Sequence, residues 1–591
     1  MKTLMGREAR RWGARAAVWV MAAALAACGG GGEGSGSAGL EPASDVPASR
    51  QEAARFLTQA TFGPTDRDVD VVMSLGYRGW IEDQFRRGGG AAHRSAWEQA
   101  DAQIKATNAN SGAGQREVLD SFWTRAVRGD DQLRQRVAFA LSQIFVVSMQ
   151  DGSVSGHPRG VAGYLDMLAE HGFGNYRDLL EAVTRHPMMG LYLSHLRNQK
   201  EDARTGRVPD QNYAREVMQL FSIGLNQLRP DGSPVLDAAG RPVDTYTSDD
   251  IIGLSHVFTG LSWYSDRTDD ACFYGSSSCQ HADRSWRGMR GYAKFHSTSE
   301  KRFLGRTVPQ GTTDPDASLR AALDTLFHHP NVGPFIGKQL IQRLVTSNPS
   351  PAYVQRVAAA FNNNGAGVRG DMKAVIRAIL LDPEARSAST ARDPAFGKLR
   401  EPVLRLTAFL RAFGATSDSG RYLIGTTDDP ATSLGQSAMR APSVFNFYRP
   451  GYVPPGTDLA ALGMVAPEMQ ITHETSVAGY ANYMLNAVRN GVGQNGLDHK
   501  APRRDVQPDF RADLPFAERP AELVERMNQR LLYGQMTEGL RNEIRQAVES
   551  VVVPALNATR SNQAQIDAAK LRRVQMAAFL TLVSPEFVVQ K

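Results

Sequence analysis

The chain has 591 residues, with 67 Lys and Arg against 61 Asp and Glu, and a formal charge of +6. Lys2, Arg7, Arg10, Arg11 and Arg15 lie in the first 27 residues against Glu8 alone, so the rest carries only about +2, which argues against a nucleic-acid partner. Three cysteines, with no CxxC pair and no CxxCH, give neither a zinc site nor a haem attachment.

The basic start is followed by an apolar stretch from Ala16 to Ala27, too short to span a bilayer as a mature helix. It ends Leu25-Ala26-Ala27-Cys28 and resembles the lipobox of bacterial lipoproteins. Residues 1–27 are therefore expected to be a signal peptide, and Cys28 the lipidated residue. Gly29 after the cysteine resembles lipoproteins sorted to the outer membrane. The expected location is extracytoplasmic and membrane-anchored, at the outer membrane or cell surface, with several acyl chains holding where one would not. Residues 28–48 are mostly Gly, Ser, Ala and Pro, and read as a flexible tether.

From there the pattern is helical. Ser49 through Glu52 forms a capping box before Phe56 and Leu57, and Thr65 caps the next helix. Leu133–Val147 reads as one long buried helix, and Asn175 caps Tyr176–Thr184. A helix is expected from about Gln211 to Ile223, with Gly224 just past its end. Residues 233–243 form the one clear hairpin, around Ala239-Gly240. Thr247 then caps a helix ending near Gly260. Residues 263–311 and 414–463 are irregular. Helices return at 319–327, 335–345, 351–361, 371–381 and 402–413, and again from 468 to 587 around a polar break near 500–520. The fold expected is all-α with one small hairpin. At this length two helical lobes, 49–413 and 414–591, are expected rather than one core. Cys272 and Cys279 flank a short loop and are expected to form a disulfide in an oxidising compartment.

Several segments together resemble one family. They are His186-Pro187-Met188-Met189, Asn212-Tyr213-Ala214-Arg215-Glu216, Thr259-Gly260-Leu261-Ser262-Trp263, Lys301-Arg302-Phe303-Leu304-Gly305, and Leu434-Gly435-Gln436 before a Pro/aromatic stretch. The chain resembles the bacterial family catalogued as domain of unknown function 1800, over about residues 50–590. The resemblance implies an exported, mostly helical protein, often encoded beside a second exported family similar to alkaline phosphatases and sulfatases. It implies no activity. Where the family commonly has a second Glu on the Asn-x-x-Arg-Glu helix, this chain has Gln219.

Two candidate sites follow from the residues. Asn212, Arg215, Glu216 and Gln219 recur at i, i+3, i+4 and i+7, a polar stripe on one helix face. Glu216 could act as a base, Arg215 clamp an anion, and Asn212 and Gln219 bind substrate; the same stripe could equally be a solvated face or an ion-pair network. The stretch from Val444 to Pro455 carries Phe447, Tyr448 and Tyr452 on a Pro-stiffened backbone, suited either to recognition or to filling a gap between lobes. His328-His329 and Asp249-Asp250 read as helix-end and capping groups, and Asp66-x-Asp68-x-Asp70 lacks the Gly of a calcium loop and sits in a helical context. No phosphate-binding loop, G-x-S-x-G or H-E-x-x-H occurs, so no cofactor is expected. The leading expectation is a lipoprotein that binds or assembles with another exported protein, such as the phosphatase-like neighbour. The alternative is a hydrolase of glycans or sulfated or phosphorylated polymers, working through Glu216 and Arg215.

Overall fold

Local capping chemistry starts most of the helices. In the computed structural model, which describes residues 44–89, 92–495 and 502–591, Ser49 Oγ accepts from the Glu52 N–H and opens Arg50–Ala60. Thr65 and Asp68 cap each other's backbone at the start of Asp66–Arg86. Asn175 and Asp371 do the same work for Tyr176–Arg185 and Met372–Leu380. Each cap satisfies N–H groups that the first helical turn leaves without partners. The predicted signal peptide, Cys28 and most of the tether lie outside the described residues.

Helices make up 52% of the chain and sheets only two-stranded scraps, so helix packing decides the architecture. Arg50–Ala60, Asp66–Arg86, Gln115–Arg128, Gln132–Ser142 and Pro158–His171 build the first layer around Phe56, Trp80, Trp123 and Tyr164. Val332–Leu344, Pro351–Asn362 and Pro402–Ala412 pack on it, followed by Glu474–Asn490 and Gln563–Leu582. The core is continuous from Ala53 to Phe587. The stretches predicted as lobes 49–413 and 414–591 therefore share one core. One antiparallel pair stitches them further, Lys398–Leu399 with Val589–Gln590, while Thr416–Ser417 pairs with Val506–Gln507 inside the second stretch.

Local differences from expectation have physical causes. The helix begun at Gln132 stops at Ser142, and the apolar run Ile144 to Val147 continues as buried non-helical chain. Apolar content alone does not separate these states. Residues 226–244 fold as an irregular antiparallel ladder of single bridges, with Gly240 at φ 77° in its turn. The helix over Asn212–Gln219 unwinds through Leu220, and the Gly224 N–H closes it on the Met218 carbonyl.

The segment 263–311 is ordered by its own small core of Cys272, Phe273, Cys279, Tyr292 and Phe295, with Cys272 and Cys279 joined as a disulfide. Among the described residues, no helix is long and apolar enough to cross a membrane.

Candidate functional site

The polar stripe on Asn212–Gln219 divides in space. Successive helical residues turn by about 100°, so Arg215 and Glu216 stand on opposite edges of the stripe. Glu216 faces the side of Tyr213 and is only 7% exposed. Arg215 and Asn212 are exposed and Gln219 is half-buried. Asn212 Nδ2 donates to Ser194 Oγ at 3.4 Å, and Gln219 Oε1 accepts from the Tyr246 hydroxyl at 3.3 Å. No ion pair joins Arg215 to Glu216 among the described residues, and the stripe consists of a buried acid beside an exposed cation.

Behind this helix the packing is tight. Tyr213 stacks on His195, ring centroids 3.8 Å apart, and donates to Thr184 Oγ1 at 2.7 Å. Burial lowers His195 to about 4. Glu216 Oε2 is buried without a hydrogen-bond partner. Burial raises the Glu216 pKa, with Arg215 opposing.

The pH consequence has a definite sign. An acid raised in the fold keeps a proton that the unfolded chain has released, so stability falls as pH rises from the ordinary glutamate value toward the raised one. Urea unfolding across that span is expected to show this loss in the wild type and a flatter curve in Glu216→Gln. Parallel curves would show that Glu216 titrates normally.

The Pro/aromatic stretch splits in the same way. Tyr448 is buried, and its hydroxyl donates to Glu401 Oε2 at 2.8 Å, so it is an anchor and not a surface ligand as predicted. Asn446 is buried and turns the chain in the left-handed region at φ 64°. Phe445, Phe447 and Tyr452 are left half-exposed, and Val453 and Leu462 are 37% and 71% exposed. The Arg449 guanidinium sits 4.5 Å over the Phe445 ring. Asn348 clamps the far side by pairing both its amide ends with Val465, at 2.9 Å each. The Pro450 carbonyl accepts from Gln342 at 3.2 Å.

Beneath this surface lies a buried polar cluster that sequence reasoning missed. Glu401 is fully buried; its Oε2 accepts from Gln436 at 2.6 Å, from Tyr448, and from Gln143. Lys398 pairs with Glu468 at 2.8 Å and donates to the Arg343 carbonyl at 2.9 Å, with all three side chains buried. Arg136 and Arg343 lie in the same cluster, and burial lowers the pKa of both while raising that of Glu468. The available signal was weak: Glu401 immediately before Pro402, and Gln436 beside the aromatic stretch.

Among the described residues, one group of His, Cys, Asp or Glu lies close enough together to hold a metal: Asp269, Cys272 and Cys279, whose sulfurs are already joined to each other. A family model described as a protein of unknown function, DUF1800, matches residues 55–589. The chain belongs to the DUF1800 family. That match spans the Asn212–Gln219 helix, the aromatic stretch and the buried cluster alike. No curated protein matches this DUF1800 chain, and no solved structure matches it.

Proposed function

We propose that this DUF1800 protein is a lipid-anchored, extracytoplasmic binding or assembly partner of another exported protein, with the rings around Phe447 and Tyr452 as its docking face. The observation that carries the proposal is the anchoring of that loop from below by Tyr448 on Glu401 and by Asn348 on Val465. A face already held in its bound shape loses little conformational freedom on association. Partly exposed aromatics, and an exposed Leu462 farther along the same irregular segment, match the composition of interface hot spots. The partner favoured is a folded exported protein of the phosphatase or sulfatase type. The lipid on Cys28 and the tether behind it would hold the protein at the membrane.

Phe447→Ala with Tyr452→Ala is the test. The double variant is expected to retain its thermal midpoint within a few degrees and to lose recovered partner by at least about tenfold, since interface aromatics contribute ~2 kcal/mol or more each. Undiminished recovery would remove this face from the proposal.

A second reading is favoured by Glu216 alone: a buried carboxyl without partners is what a proton donor in hydrolysis needs. It predicts turnover of a glycan, ester or phosphoester substrate that Glu216→Ala abolishes. A broad panel without such turnover excludes it.

A further inference from the structure

A cleft of about 290 Å³ lies between the helices His93–Thr107 and Gln115–Arg128 and the turn at Gly420-Arg421. Its walls are mixed, with Ala96 and Ala100 between polar groups, Gln99 and Gln103 on one helix and Asp120, Thr124 and Arg125 on the other. That volume sits near the lower end of the ~300–1,000 Å³ of small-molecule sites.

Two side chains there are not accounted for by packing. Asp120 is 4% exposed, and its Oδ1 is buried with no hydrogen-bond partner, while Oδ2 accepts from Arg421 at 3.1 Å. Arg125 lines this cleft and also the adjoining one of about 250 Å³ that contains Arg134 and Asp166. Among the described residues its one ion-pair partner is Asp131, at a long 3.8 Å. A guanidinium has five donors, and this one spends none on a short hydrogen bond within the fold.

We propose that this cleft binds a monosaccharide-sized polyol bearing one carboxylate, a uronic-acid-type sugar residue. Arg125 faces the ligand carboxylate, and Asp120, Gln99, Gln103 and Thr124 face its hydroxyls. The chemistry follows from the wall. A forked guanidinium suits a planar carboxylate. Amides and a protonated carboxyl both donate and accept, as ring hydroxyls require. A cationic ligand is disfavoured by Arg125 and Arg421, and a multiply charged anion by Glu117.

The charge state of Asp120 gives the site a pH signature. Burial lifts Asp120 to about 7, opposed by Arg421 and by Arg116, and aided by Glu117. Below that value Asp120 is neutral and can donate to a hydroxyl. Above it the carboxylate repels an acidic ligand.

Titration of the purified protein with glucuronic acid and with glucose, followed by ligand-observed NMR, tests the proposal. Glucuronate is expected to saturate at millimolar concentration, and glucose to bind at least tenfold more weakly. Arg125→Gln is expected to erase that preference and Arg125→Lys to keep part of it. The wild type is expected to lose glucuronate affinity between pH 6 and 8, and Asp120→Asn to show no such loss. Failure of glucuronate to saturate at tens of millimolar would overturn the proposal. So would equal binding by wild type, Arg125→Gln and Asp120→Asn across that pH range.

Discussion

Lys398→Met is expected to destabilise the protein by about 3–5 kcal/mol, because it leaves Glu468 buried without its counter-charge. The ammonium of Lys398 also satisfies the Arg343 carbonyl, so one change removes two interactions of a closed cluster. The pair should not be read as a large net source of stability. Two buried charges forfeit hydration, and their attraction does little more than offset that loss. The double variant Lys398→Met with Glu468→Leu is therefore expected to recover most of the stability lost in the single one. Denaturant unfolding of the two single variants and the double forms a cycle that isolates the coupling. If the double variant is as unstable as the sum of the singles, the cluster is held by packing and not by charge pairing.

Gly253→Ala is expected to have an effect of similar size for a steric reason. Gly253 lies in the helix Ser248–Val257, on which the hairpin Lys301–Phe303 and Arg306–Val308 sits. A Cβ at Gly253 would lie 1.7 Å from the Arg302 carbonyl oxygen, which is backbone and has no rotamer to change. Helix and hairpin would have to separate, breaking the hydrogen bond from the Leu304 N–H to Asp250. The gain in helix propensity, roughly 1 kcal/mol, cannot offset this. The expected outcome is a loss of about 3 kcal/mol or more, or failure to accumulate folded protein. A midpoint at or above wild type would mean that the hairpin is not seated on this helix.

These two positions also show where sequence reading succeeds and where it stops. Helix starts at Ser49, Thr65 and Asn175 are legible because a cap acts within three residues of itself. Gly224 was legible for the same reason, since the end of a helix needs a left-handed residue there. Leu133–Val147 was read too long, because a buried apolar run satisfies a helix and an extended strand equally. The stripe on Asn212–Gln219 was found but its partition was not. Which edge is buried depends on Tyr213 packing against His195, a contact with no trace in the spacing.

The buried cluster was least legible of all. Arg136, Arg343, Lys398, Glu401, Tyr448 and Glu468 are scattered along the chain, and each alone looks like an ordinary surface residue or loop aromatic. Length suggested two lobes, yet this cluster and the shared core join residues from both predicted halves.

The same cluster links fold to proposed function, since Tyr448 anchors the aromatic stretch on Glu401. The most direct measurement is recovery of the full-length protein from detergent extracts of the cells that make it, with mass determination of whatever accompanies it. The account predicts one exported protein in stoichiometric amount, lost when Phe447 and Tyr452 are both alanine. Repeated recovery of the chain alone, under conditions that leave it folded, would contradict it.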